Sequence, residues 1–162
     1  MSRCPTIIKA QCYTTLVRTT LEYTFSIWSP SKKDSINKVE AVQRRAARFA
    51  TGDYQRTSSV TAMLQQLQWQ TLQSRRANAQ TTIMYRIMYN LVDIPAEHHL
   101  NRTSLRTRGY SLQFLVPHTR TTVYRTSFFP QAIRLWNQLP GSVVEVDTLD
   151  SFKAQLFRAT LI

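Results

Sequence analysis

The chain holds three glycines, Gly52, Gly109 and Gly141, and each falls between runs of apolar residues that repeat at helical spacing. Glycine and proline are the residues that stop a helix, so a chain punctuated this sparsely has few places to turn. From Thr6 to Trp28, Ile8, Cys12, Leu16, Leu21, Phe25 and Trp28 recur with a helical period, and SPSKKD with Pro30 ends the run. A second helix is expected over about Asp34 to Ala50. Ile36, Val39, Val42, Ala46 and Phe49 form its stripe, Gly52 its stop, and Lys38, Arg44, Arg45 and Arg48 its opposite face.

After the turn TGDYQRTSS, VTAMLQQLQ suits a short helix and TLQSRRANAQTTIMYRIMYNLV a longer one. Leu72, Ala79, Ile83, Ile87 and Leu91 make its stripe, with Met84 and Met88 as core filler. Pro95 ends this helical half. Beyond Gly109 the period changes, because YSLQFLVPHTRTTVYRTS alternates Leu112, Phe114 and Val116 and then carries strand-favouring Thr, Val and Tyr. The spacing predicts a β-hairpin over 110–126, turning near Pro117 and His118. A short helix over about 129–138 follows, with Pro130 in its first turn and Pro140 as its stop. A last helix over 148–160 has Asp147, Thr148 and Asp150 at its start. The expected fold is mainly α: a helical bundle over 1–95, then a basic tail domain over 96–162 with a small hairpin and two short helices.

Charge constrains the partner more than the fold. With 21 Lys and Arg against 9 Asp and Glu, the formal net charge is +12. An excess of this size attracts polyanions at long range. A basic protein that is merely soluble, or a piece whose acidic complement lies elsewhere, would share it. Between Tyr54 and Val144 the only carboxylates are Asp93 and Glu97, against ten arginines. Arg102, Arg106, Arg108, Arg120, Arg125 and Arg134 lie in a stretch with no acid, and guanidinium forks phosphates bidentately. Some of these arginines will cap carbonyls or bury their stems. In TTVYRTSFFPQAIRLWNQLP, residues 121–140, Phe128, Phe129, Trp136 and Leu139 fit the buried stripe of a helix, which leaves Tyr124 as the ring placed to stack on a base.

Catalytic patterns are missing from the sequence: no phosphate loop, no nucleophile elbow, no H-E-x-x-H and no paired aspartates of the kind that hold two metal ions. Cys4, Cys12, His98, His99 and His118 do not share metal-ligand spacing, so neither metal nor cofactor is expected. Glu22 follows Arg18 by one turn, the spacing of a local ion pair. No stretch approaches the ~20 apolar residues needed to span a bilayer, and MSRCPTIIKAQ lacks the apolar core of a secretory signal. An intracellular protein is expected, in the nucleus or in a cytoplasmic ribonucleoprotein.

Five stretches, in order, closely resemble the C-terminal region of reverse transcriptases from non-LTR retrotransposons of the LINE-type, jockey-like group. They are LVRTTLEYTFSIWSP at 16–30, INKVEAVQRRAARFATGDY at 36–54, LQWQTLQSRRANAQTTIMYRIMYNLVDIP at 67–95, TRGYSLQFLVPHTRTTVYRTSFFPQAIRLWNQLP at 107–140 and TLDSFKAQL at 148–156. The resemblance implies a thumb-like helical bundle with the tail behind it. In that family an RNA-directed DNA polymerase palm precedes this region, and the palm's metal-binding aspartates are not in this chain. The family usually has Pro where Thr19 stands, and reads GWPTL where Gln68 and Gln70 flank Trp69.

What the resemblance implies is a non-catalytic nucleic-acid-binding part of a polymerase. Arg44, Arg45, Arg48, Arg75 and Arg76 would contact phosphates of a template and primer duplex. Arg106, Arg108, Arg120, Tyr124 and Arg125 would hold element RNA or target DNA. Neutralising about five phosphates corresponds to a logarithmic salt slope near ~4. Two alternatives remain: a scaffold that docks onto a polymerase palm, and a translated relic without function.

Overall fold

A computed structural model describes residues 4–23, 30–103 and 112–159. The protein is mainly helical. It divides into two compact units, Met1–Arg76 and Ala77–Ile162. The division falls inside the helix α5 (Leu72–Met88), earlier in the chain than the Pro95 boundary expected from sequence.

In the first unit, α1 (Thr6–Cys12), a π-helical stretch over Tyr13–Arg18 and α2 (Thr19–Glu22) run on without a break. Threonines line this run, and their hydroxyls bond back to the preceding turn: Thr15 to Gln11 O at 2.8 Å, Thr19 to Thr15 O at 2.6 Å, Thr20 to Leu16 O at 2.9 Å. A π turn takes more residues than an α turn, so a stripe spaced for 3.6 residues rotates away from the packed side. The consequence is a correction to the expected stripe. Ile8, Cys12 and Leu16 are exposed and Tyr13 is buried in their place. Leu21 is half-buried, and Phe25 and Trp28 lie outside the described residues.

α3 (Lys33–Thr51) matches the expected helix closely. Gly52 ends it at φ 73°, in the left-handed region, with its N–H on Arg48 O at 2.9 Å. Only glycine enters that region without a Cβ clash. The packed face of α3 is shifted from the expected one. Gln43, Ala47 and Ala50 are buried, Ile36, Val39, Val42 and Ala46 are half-buried, and Phe49 is exposed with Lys9 Nζ 5.3 Å from its ring centre. Gln43 can lie inside because both ends of its amide are used: Oε1 accepts from the Tyr13 hydroxyl at 3.3 Å and Nε2 donates to Gln70 O at 2.8 Å. Trp69 packs on the Tyr13 ring, with centroids 4.8 Å apart. α4 (Val60–Gln66) is capped by Ser59, whose hydroxyl accepts the Ala62 N–H.

The second unit closes around Trp136, Phe152 and Tyr85. The Tyr85 and Phe152 rings lie 4.5 Å apart, those of Trp136 and Phe152 5.8 Å apart, and all three side chains are buried. These come from α5, α7 (Phe128–Asn137) and α9 (Leu149–Ala159), with a short α8 (Gly141–Val144) supplying Val143 and Val144. α7 and α9 were expected; α8 and a 3-10 turn over Ala96–His98 were not. Met84 is buried and Met88 half-buried, the core role expected of them. Leu91 is exposed instead of completing the α5 stripe, because Asn90 takes a left-handed conformation and ends the helix before it.

The expected hairpin over 110–126 is not formed among the described residues. Phe114 makes an isolated antiparallel bridge with Arg102. Residues 115–119 are irregular, and Thr122–Arg125 is a helical turn, α6, capped by the Thr121 hydroxyl. Of the alternating residues, Leu112 sits in a turn and Phe114 alone pairs in the bridge. The partners of residues 113–115 are Asn101 and Thr103 on one side and the Asn137 side chain on the other. Positions 110 and 111 lie outside the described residues.

Candidate nucleic-acid interface

The basic face of α3 follows from helical geometry. At 100° per residue, Lys38 and Arg45 fall about 20° apart and Arg44 and Arg48 about 40° apart, on the side away from Gln43, Ala47 and Ala50. Lys38, Arg44 and Arg45 are exposed and Arg48 is half-buried. From Lys38 to Arg48 the run covers about 15 Å of helix. Among the described residues, no carboxylate lies within ion-pair distance of any of the four. Glu40, the nearest acid in sequence to Arg44, points elsewhere: its Oε1 accepts the Gln73 N–H at 2.7 Å. Arg44 Nη2 donates to Asn37 O at 3.2 Å, which steadies its stem along the helix.

Arg48 has a second job. Its Nη1 donates to Gln55 O at 2.9 Å and so ties the turn after Gly52 to the end of α3. Within that turn the Asp53 carboxylate accepts the Gln55 N–H at 2.9 Å. A hydrogen bond from the Ser58 side chain, followed by that backbone bond, holds the Asp53 carboxyl below its ordinary pKa. Sequence reading marked this segment only as a turn. Its ordered conformation comes from a side chain one helical turn upstream of the glycine.

Arg75 and Arg76, expected as phosphate contacts, do not join this face. Arg75 forks Glu22 through Nε and Nη2, the latter 2.9 Å from Oε2, and Arg18 Nε stands 3.9 Å from the same carboxylate. The hydrogen bonds that Arg75 donates to Glu22 raise the Arg75 pKa, while burial lowers that of Arg18, helped by the nearby positive charge of Arg75. The expected Arg18–Glu22 pair is present, but Arg75 is the stronger partner. Arg76 is 4% exposed, and burial lowers its pKa. A guanidinium withdrawn this far cannot reach a phosphate without unfolding its surroundings. No local signal separates the pair Arg75–Arg76 from Arg44–Arg45; for Arg75 the difference is set by Glu22, far away in sequence, and for Arg76 by burial.

In the second unit, Arg120, Tyr124 and Arg125 are exposed at and before α6. Arg134 Nη1 donates to Arg125 O at 2.9 Å, the carbonyl-capping role foreseen for some of these arginines. Trp136 is buried, Phe128 and Phe129 half-buried, as the packing reading of that stretch required. Arg106 and Arg108 lie outside the described residues. No family model, curated protein or solved structure matches the chain. Among the described residues, no group of His, Cys, Asp and Glu could hold a metal ion, and no helix is long and apolar enough to cross a membrane.

Proposed function

We propose that the chain holds a nucleic acid through its phosphate backbone, as the thumb and tail of a non-LTR reverse transcriptase would, and carries out no chemistry itself. The outer face of α3 carries this reading: Lys38, Arg44 and Arg45 stand exposed and unopposed on one side of a single helix. Charges fixed on a helix displace counterions without first paying for order, and phosphate contacts need only charge and reach. Arg48 adds a partly buried charge to the same face, and Arg120, Tyr124 and Arg125 provide a separate basic element in the second unit. Backbone contacts read no sequence, so RNA/DNA hybrid and duplex of any sequence bind alike.

The test is direct. Arg44→Gln with Arg45→Gln weakens binding of a random-sequence RNA/DNA hybrid by roughly tenfold at low salt, equally for several sequences, in fluorescence anisotropy. Unchanged affinity contradicts the reading. A second reading, docking onto a polymerase palm, is favoured by the exposed Ile7, Ile8, Leu16 and Val17 of the first helical run. It predicts that the double arginine variant binds nucleic acid normally.

A further inference from the structure

The turn following α3 holds a ring that neither the packing nor the phosphate contacts use. Tyr54 is 67% exposed, and among the described residues no ring or cation covers it. Of the other described rings in the first unit, Tyr23 at the end of α2 is likewise uncovered, and the rest are occupied. Tyr13 is buried against Trp69, and Phe49 carries the Lys9 ammonium over its face. An exposed tyrosine on a loose loop would mean little. The backbone around Tyr54 is instead fixed from both sides: Gly52 N–H on Arg48 O, Asp53 N–H on the Thr51 hydroxyl, Gln55 N–H on Asp53 Oδ1 and the Arg48 guanidinium on Gln55 O.

Arg48 therefore links the ring to the basic face through one hydrogen bond, since the carbonyl it holds belongs to the residue after Tyr54. We propose that Tyr54 is a stacking platform for one unpaired base, so that the α3 face prefers a duplex with a single-stranded overhang to a blunt duplex. This rests on the backbone-binding reading above and adds the ligand's form to it. A base at the end of a strand has an open π-face, and a ring held in a fixed turn loses little freedom on stacking. Stacking is indifferent to base identity, which keeps the site sequence-tolerant, like the phosphate contacts beside it.

Two RNA/DNA hybrids separate the outcomes, one blunt and one with a short overhang, each titrated against the full chain by anisotropy. The wild type binds the overhang hybrid about tenfold tighter, the worth of one base stacked on an aromatic ring. Tyr54→Ala removes that ratio and leaves the blunt hybrid's affinity in place, while Tyr54→Phe keeps the ratio. Equal far-UV circular dichroism of the three proteins excludes a folding effect. Equal affinity of the wild type for both hybrids, or a ratio that survives in Tyr54→Ala, overturns the platform alone. Loss of salt-sensitive binding to either hybrid overturns the backbone reading and the platform with it.

Discussion

Gln68 holds a backbone φ of 55°, where a Cβ meets the carbonyl oxygen that follows, at a cost of roughly 1 kcal/mol or more. The conformation is imposed by the end of α4, since Gln68 N–H bonds Gln65 O at 3.0 Å and Trp69 N–H bonds Leu64 O at 2.8 Å. Glycine relieves the strain, so Gln68→Gly should raise stability by roughly 0.5 kcal/mol after its own loss of chain entropy. A urea midpoint that stays put or falls would show that the side chain contributes something unseen. Tyr13 offers a pH test. Burial pushes its hydroxyl up to about 12 from the ordinary value near 10, so the folded state keeps a proton that the unfolded chain gives up. Stability from this group is complete below pH 10 and is lost as pH rises toward 12, by on the order of 2 kcal/mol. Tyr13→Phe should show a correspondingly smaller fall between pH 10 and 12 in denaturant titrations; identical falls would place the alkaline sensitivity elsewhere.

Among the elements, Asn137 replaces the missing second strand. The bridge with the 101–103 segment uses Gln113 O and Leu115 N–H, which turns the N–H and C=O of Phe114 the other way. Asn137 meets both, accepting at 3.1 Å and donating at 2.7 Å. Asn137→Leu strands two buried backbone groups and should cost about 3 kcal/mol, read from the denaturant midpoint and from faster hydrogen exchange at the Phe114 amide. A cost below about 1 kcal/mol would mean that water replaces the amide. The same element marks the limit of what the sequence could tell. Helices ended by strong local signals were legible: Gly52 after α3 and Pro140 after α7 each act within one turn of themselves. The hairpin was not, because period-two alternation identifies extended chain without naming its partner, and here that partner is an asparagine side chain on α7. The π stretch over Tyr13–Arg18 escaped for a related reason. Threonine back-bonding has no distinctive spacing, and Tyr13 is buried where Ile8, Cys12 and Leu16 were expected.

For the whole molecule, the net charge of +12 matters less than where the few acids go. Glu22 is spent on Arg18 and Arg75, and Glu40 on a backbone N–H, so neither dilutes the outward face of α3. The exposure of Lys38, Arg44 and Arg45 was expected from helical period, although the packed face of α3 is shifted and Arg48 is half-buried, whereas the pairing of Arg75 depends on Glu22, a carboxylate no local pattern could point to. Withdrawing those two arginines lowers the expected number of phosphates met by the first unit to about three, and the salt dependence with it. The affinity of the full chain for duplex DNA, measured across a range of monovalent salt, tests this most directly. The account predicts that log K falls linearly with log salt with a slope of magnitude about 3 from the first unit, increased by what Arg120 and Arg125 add, and lowered by about 2 in the Arg44→Gln, Arg45→Gln variant. A slope near zero in the wild type, or one that the variant leaves unchanged, would contradict it.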